Sequence, residues 1–153
     1  MIIEKIVGNL TDRDISGLEW DEVFIEWYEV EKKVLHKTSA GGLEIGIRNS
    51  GDRPLCDGDI LYQDDRTALV IKILESSCIV LKPKTMEEMG KACYEMGNRH
   101  APLFIEGDEL LTPFDEPLLT ALIKCGFSAE RKTARLKIPL GGHPLGDAHG
   151  HAH

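Results

Sequence analysis

Histidine is the residue type whose placement in this sequence points most directly to chemistry. Four of the six histidines fall in the last eleven residues: His143, His149, His151 and His153. Neutral imidazole is a common ligand of nickel, zinc and copper, and imidazoles separated by small residues can bind one ion together. Expression tags are normally unbroken histidine runs, so the interspersed pattern favours a native metal-binding tail. The ending predicts His149, His151 and His153 as metal ligands, ahead of His143, which is followed by a proline.

A second candidate ligand, His100, lies in the sequence Gly97-Asn-Arg-His-Ala-Pro102. A histidine just after a helix more often has a structural role, because it can interact with the carbonyl groups at the negative end of the helix dipole. Taken alone, this motif leaves both interpretations open. His36 lies among lysines and is expected to be exposed.

Other residue patterns do not predict a site. Four cysteines are scattered along the chain, at Cys56, Cys78, Cys93 and Cys125. With no C-x-x-C pair, a cysteine zinc site is not expected, and the thiols should be free and mostly buried. Four aspartates (Asp57, Asp59, Asp64 and Asp65) do not match the spacing of a calcium loop and predict solvated turns instead.

Motifs typical of hydrolases and nucleotide-binding enzymes are absent from the sequence. It contains no H-E-x-x-H, no G-x-x-x-x-G-K-[ST] and no G-x-S-x-G. Nor does any nucleophile have an identifiable neighbouring base. We therefore expect a protein that is not an enzyme.

Composition and charge limit the class of protein further. The 153 residues carry a net charge of -8, with 16 acidic and 9 basic side chains in residues 1–75 and 10 and 9 in the remainder. So acidic a chain repels phosphate, which argues against a nucleic-acid partner. No run approaches the ~20 apolar residues of a membrane span, and the N-terminus lacks the pattern of a signal peptide. We expect a cytoplasmic protein with no membrane partner.

The first half of the chain has the pattern of a small β domain. Short β-branched or aromatic segments alternate with turns that contain glycine and aspartate. The predicted strands cover residues 2–6, 23–30, 43–48, 60–62 and 67–73. The domain boundary is placed near Glu75, which makes residues 1–75 an N-terminal β domain.

The second half predicts a ferredoxin-like β-α-β-β-α-β order, and the whole chain an α+β fold. A capping box at Thr85 begins the first helix, whose apolar face is formed by Met86, Met89, Cys93 and Met96. Gly97 should end that helix as its C′ residue. Asp115 caps the second helix, whose buried face is expected to comprise Leu118, Leu119, Leu122 and Ile123, with Gly126 at its end. Strands are predicted at 78–81, 102–105, 110–111 and 128–138, so the domain covers 76–140 and leaves residues 141–153 as a flexible tail.

Three features together resemble a known family. The first is Gly97-Asn-Arg-His100, followed by Pro102, at the end of a helix that starts Lys82-Pro-Lys-Thr-Met-Glu-Glu-Met-Gly90. The second is the segment Cys56-Asp-Gly-Asp-Ile-Leu-Tyr62, and the third is Gly141-Gly142 before a histidine-containing tail. The sequence is similar over essentially its whole length to the UreE family of urease accessory proteins, the nickel metallochaperones of urease maturation. The G-N-R-H motif in its helix context is the specific part of this likeness.

The resemblance implies a partner-binding N-terminal β domain and a ferredoxin-like domain that forms a homodimer. It also implies that His100 is the principal nickel ligand at the dimer interface, with tail histidines completing the site. Partners would be the urease apoprotein complex and its accessory GTPase. Some members carry two further histidines after the motif, but residues 111–116 contain none here, so those extra sites are not expected.

Physical chemistry is compatible with this role for His100. One imidazole cannot satisfy an ion that takes four to six ligands, but a two-fold axis beside His100 would supply that residue twice. A site of neutral imidazoles should exchange its metal, with zinc or copper able to replace nickel in vitro, and should weaken below pH about 6.5.

Two alternatives stay open from the sequence. The protein could be a partner-binding scaffold whose tail only buffers zinc or nickel. A hydrolytic metalloenzyme is the third possibility, and it ranks last because no general base lies near the histidines in sequence.

Overall fold

A computed structural model describes residues 1–140 of the chain. The fold is α+β, as the sequence predicts. The chain forms two compact units, Met1–Leu74 and a second that begins at Glu75. Within the described residues, no helix is long and apolar enough to cross a membrane.

Two small sheets build the first unit. Its strands are β1 (Ile2–Ile3), β2 (Gly8–Asn9), β3 (Glu19–Ile25), β4 (Val34–Thr38), β5 (Glu44–Arg48), β6 (Asp59–Gln63) and β7 (Thr67–Ile73). One sheet has the order β1-β5-β4 and the other β2-β6-β7-β3. The pairs β1/β5 and β3/β7 are parallel and the others antiparallel. Aliphatic side chains from both sheets, among them Val23, Ile45 and Ile71, form a buried core, which Leu55 joins from the loop before β6.

The predicted strand over residues 23–30 is wrong in its second half. β3 stops at Ile25, and Trp27–Glu29 form a 3-10 turn. The Glu29 carboxylate closes this turn by accepting the Glu26 N–H at 2.9 Å, and it also accepts Lys37 Nζ at 2.7 Å. Aromatic residues favour strands in isolation, but here the local hydrogen bonds of Glu29 decide the backbone. β2 and β4 were not predicted at all.

A buried carboxylate organises the turn before β6. Asp59 is 0% exposed and accepts a bidentate pair of bonds from Arg53, at 2.9 and 3.0 Å. It also accepts the Cys56 N–H at 2.8 Å and Asn9 Nδ2 at 3.0 Å. Asp57 accepts the N–H of Ile73 at 2.8 Å, which ties the turn to the end of β7. The predicted solvated turn is therefore wrong for Asp59, whose charge is fully desolvated and satisfied inside the unit.

An antiparallel sheet and two helices make up the second unit. The elements are β8 (Glu75–Leu81), α1 (Met86–Asn98), β9 (Phe104–Glu106), β10 (Glu109–Pro113), α2 (Glu116–Lys124) and β11 (Glu130–Arg135). The strand order is β11-β8-β10-β9, with every neighbouring pair antiparallel. This is the predicted ferredoxin-like β-α-β-β-α-β arrangement.

Both helices bury a stripe of side chains against this sheet, but not every residue predicted for it. Ala92 and Met96 of α1 and Leu118 and Leu122 of α2 are fully or almost fully buried. Two predicted members are exposed at the helix ends, Met86 by 90% and Ile123 by 54%. Met86 is the first residue of α1 and precedes the packed stripe by one turn, whereas Ile123 is the penultimate residue of α2. Apolar periodicity thus predicts the buried face but not how far along the helix it extends.

Asp59→Asn should destabilise the first unit by about 3 kcal/mol. This value is at the low end of the range for breaking a buried ion pair, because the Arg53 side chain is still 21% exposed. The substitution removes the negative charge that the Arg53 guanidinium binds. Urea unfolding followed by tryptophan fluorescence measures this unit selectively, since the two tryptophans, Trp20 and Trp27, both belong to it. The same substitution at exposed Asp65 is the control. Equal midpoints for the two variants would contradict the structural role of Asp59.

Candidate metal site

Helix α1 is the element that positions His100. It begins at the predicted cap, where Thr85 Oγ1 accepts the Glu88 N–H at 3.0 Å. The Glu88 carboxylate reaches back to the N–H of Lys84 at 3.2 Å. Glu87 and Glu88 also place negative charge in the first turn, where it is favourable with the helix dipole. With one end capped and Ala92 and Met96 buried, the path of α1 over the sheet is fixed.

The other end of α1 is a Schellman motif with a histidine at its turning point. Arg99 is the C-cap, and His100 follows in the left-handed region with φ 55°. The His100 N–H donates to the Gly97 carbonyl at 3.0 Å, and the Ala101 N–H donates to the Met96 carbonyl at 3.0 Å. These are the two bonds that define the motif. The prediction that Gly97 is the C′ residue is wrong, because the helix continues through it and His100 takes that place.

Helix α2 ends in the same motif and so provides an internal comparison. Gly126 is its C′ residue, with φ 94°. The Gly126 N–H donates to Ile123 at 3.0 Å and the Phe127 N–H to Leu122 at 3.1 Å. Glycine adopts this conformation freely, whereas a residue with a Cβ loses about 1–2 kcal/mol there. One helix therefore ends on the residue that suits the turn, and the other ends on a strained histidine.

A strained backbone conformation at a residue where glycine would fold without strain is typical of functional positions. His100 is the one non-glycine residue with positive φ among residues 1–140. Its side chain is exposed, and its imidazole has no hydrogen-bond partner among those residues. The motif therefore presents a free imidazole at a reversal of the chain, held on both sides by backbone hydrogen bonds.

A single imidazole is not a metal site. The described part of the chain contains no group of three or more His, Cys, Asp or Glu side chains that could hold a metal ion. His36 is exposed on β4 of the first unit, as expected, and belongs to no such group. Residues 1–140 of one copy of the chain therefore do not form a three-ligand site at His100.

The end of the described chain lies close to His100 in the fold. Pro139 forms an antiparallel bridge with Phe104, and the Leu140 N–H donates to the Leu103 carbonyl at 2.8 Å. The last described residue is therefore bonded to a position three residues after His100. Sequence reasoning missed this contact, because nothing in the pattern of Leu136–Leu140 specifies which strand it meets.

Predicted ligands His149, His151 and His153 lie outside the described residues, as does His143. Covalent geometry sets an upper limit on their distance from Leu140. His149 is nine residue steps along the chain from Leu140, and an extended chain covers at most about 3.3–3.6 Å per residue, or roughly 30 Å. The tail histidines are thus within covalent reach of His100 of the same chain.

The two buried cysteine thiols are not suited to this role. Burial, reinforced by the Asp59 carboxylate, raises the pKa of Cys56 to about 11, and burial also raises the pKa of Cys78. Both thiols stay protonated at neutral pH, whereas a metal ligand must be a thiolate. The expected free thiols are confirmed, but only these two are buried; Cys93 is half-buried and Cys125 exposed.

Comparison with known proteins matches the whole chain to one family. Residues 3–74 match the model of the UreE urease accessory protein N-terminal domain, and residues 75–153 match that of its C-terminal domain. A urease accessory protein UreE from Acetivibrio thermocellus is 57% identical over 153 residues, covering 100% of both chains. Proteins of the same name from Flavobacterium johnsoniae and Lysinibacillus sphaericus are 41% and 36% identical, covering 89% and 92% of this chain and 83% and 95% of their own.

His100→Gly should stabilise the second unit by about 0.5–1 kcal/mol. The relief of left-handed strain, about 1–2 kcal/mol, exceeds the entropy that glycine adds to the unfolded chain, about 0.4–1 kcal/mol. Gly126→Ala, the matched change at the end of α2, should destabilise by about 1 kcal/mol for the opposite reason. Far-UV circular dichroism during urea unfolding reports on this unit, because α1 and α2 both belong to it. A destabilised His100→Gly variant would show that the imidazole has a structural partner.

Proposed function

This chain belongs to the UreE family of urease accessory proteins, and we propose that it binds nickel as cargo and delivers the ion during assembly of the urease active site. The proposal assigns the protein no catalytic step. The observation that supports it most strongly is the free, exposed imidazole of His100 at the left-handed end of α1.

The conformation of His100 supports a role as metal ligand over a role in capping. A capping histidine would use its side chain on the helix carbonyls, but the backbone N–H groups of His100 and Ala101 already occupy those of Gly97 and Met96. Glycine would serve the fold better at this position, as Gly126 does in α2. A histidine kept at a cost to stability is best explained by what its imidazole binds.

We infer that the ion lies at the interface of a homodimer. An isologous interface repeats every group on both sides of its two-fold axis, so two copies contribute two His100 imidazoles to one ion. This arrangement would supply a second ligand that residues 1–140 of one chain, which contain no three-ligand cluster, do not group with His100. A pair of imidazoles is still fewer than the four to six ligands that nickel takes, which leaves positions for the tail.

Tail histidines His149, His151 and His153 would complete the coordination. The bond from Leu140 to Leu103 begins the tail beside the segment that carries His100. A ligand joined to a site by a short length of chain can act at an effective concentration in the millimolar range, which favours its binding to an ion already held by His100. Because all these ligands are neutral imidazoles, without a thiolate, the ion should remain exchangeable, with zinc or copper able to take its place in vitro.

Delivery requires contact with the proteins that receive the ion. We propose that the first unit binds partners in urease maturation, the urease apoprotein complex and its accessory GTPase, in the cytoplasm. The acidic surplus of residues 1–75, with 16 acidic against 9 basic side chains, suits a basic partner surface. A scaffold whose tail merely buffers zinc or nickel is the alternative, and it differs in assigning no metal to His100.

Nickel titration calorimetry separates these functions. The intact chain should show one tight site per dimer, and His100→Gly should lose that site while remaining folded. Glycine is a better replacement than alanine here because it also suits the left-handed backbone. His36→Ala, which removes an exposed histidine of the first unit, is the matched control and should bind as the intact chain does.

A chain that ends at Leu140 tests the contribution of the tail. We expect it to retain a weakened site that still depends on His100. If truncation abolishes nickel binding and His100→Gly leaves it unchanged, the buffering scaffold is the correct description.

A further inference from the structure

A buried side chain on the sheet makes a hydrogen bond to the segment that follows His100. β9 and β10 pair from Glu109 opposite Glu106 to Leu111 opposite Phe104. At Pro102 the backbone pairing cannot continue in the usual way, because proline has no N–H to donate. Instead, Thr112 Oγ1 donates to the Pro102 carbonyl at 2.7 Å.

Thr112 is well placed to act as a fixed point. It is 0% exposed and lies on β10, an interior strand of the order β11-β8-β10-β9. Its backbone pairs with Ile79 of β8. The position of its hydroxyl is therefore set by the centre of the sheet, whereas the carbonyl that it binds belongs to the loop after α1.

His100 lies between two anchors as a result. On one side, the Schellman bonds hold its N–H and that of Ala101 to the end of α1. On the other side, Thr112 holds the carbonyl of Pro102, two residues further along the chain. The left-handed conformation of His100 is less stable than the right-handed one for a residue with a Cβ, so each anchor helps to keep its backbone direction fixed.

We propose that Thr112 is a positioning residue for the metal ligand His100: its hydroxyl bond to Pro102 fixes the direction in which the imidazole is presented to the ion. This inference rests on the proposed nickel site. Groups that orient metal ligands without touching the ion typically contribute 10–100-fold to affinity. Because Thr112 acts through two intervening residues, we expect an effect of about tenfold, at the low end of that range.

The test compares Thr112→Val, which keeps the shape but removes the hydroxyl, with Thr112→Ser, which keeps the hydroxyl. Nickel titration of the full chain should show about a tenfold weaker tight site for Thr112→Val and near-normal affinity for Thr112→Ser. In the His100→Gly background, Thr112→Val should leave the residual binding unchanged, because the ligand that it positions is gone. If valine disrupts the unit, seen by circular dichroism, Thr112→Ala against Thr112→Ser makes the same comparison.

Equal nickel affinity of Thr112→Val and the intact chain would overturn the positioning role while leaving the His100 site in place. An equal loss for the valine and serine variants, or a loss that persists without His100, would also overturn it, since both indicate a general structural effect. If His100→Gly itself binds nickel as the intact chain does, the proposed function fails, and the positioning role fails with it.

Discussion

The end of helix α1 is a constraint on which the candidate site depends. A ferredoxin-like unit must reverse the chain after its first helix and lead it into an edge strand, and here the reversal is made by a left-handed residue with two backbone hydrogen bonds. Placing His100 at that residue leaves its side chain exposed. The backbone bonds that close the motif occupy the carbonyl groups of Gly97 and Met96, and the imidazole has no hydrogen-bond partner among residues 1–140. Stability and the proposed ligand role are thus in opposition at one residue, and the end of α2, with Gly126 in the same place, shows the arrangement that stability alone would favour.

Several contacts within the second unit hold the backbone around His100 in place. The capped start of α1, the buried stripe of Ala92 and Met96, and the hydroxyl bond from Thr112 fix the segment from both sides. Leu140 then returns the chain to Leu103, beside the same segment. In the first unit, a buried carboxylate has the comparable organising role: Asp59 gathers Arg53, Cys56 and Asn9 around one turn. The two side chains therefore differ: the Asp59 carboxylate is hydrogen-bonded to residues of its own unit, whereas the His100 imidazole has no hydrogen-bond partner among residues 1–140.

Much of this could be predicted from the sequence, for identifiable physical reasons. The order of elements in the second unit follows from apolar periodicity and from the Thr85 cap, both of which are local signals. His100 was identified through a motif that resembles the UreE family, not through its chemistry. The sequence misled where two local signals competed. Gly97 is the better C′ residue by propensity, but the left-handed turn falls at His100, because the position of the turn is set by the packing of Met96 and the path into β9. Asp59 was expected to be solvated, because its ion pair with Arg53 forms only when the turn folds. The contacts of Thr112 and Leu140 are tertiary and leave no sequence pattern.

Activation of urease in cells at limiting nickel tests the central claim most directly, since it asks whether the strained histidine is there for delivery. The host cells would carry the urease subunits and the other accessory proteins but lack their own member of this family. They would receive either the intact chain or His100→Gly. We predict that His100→Gly, although folded and present at a level no lower than the intact chain, gives severalfold lower urease activity, and that excess nickel restores it. Equal activation by the two proteins at limiting nickel would contradict the account and return His100 to the status of an ordinary surface residue.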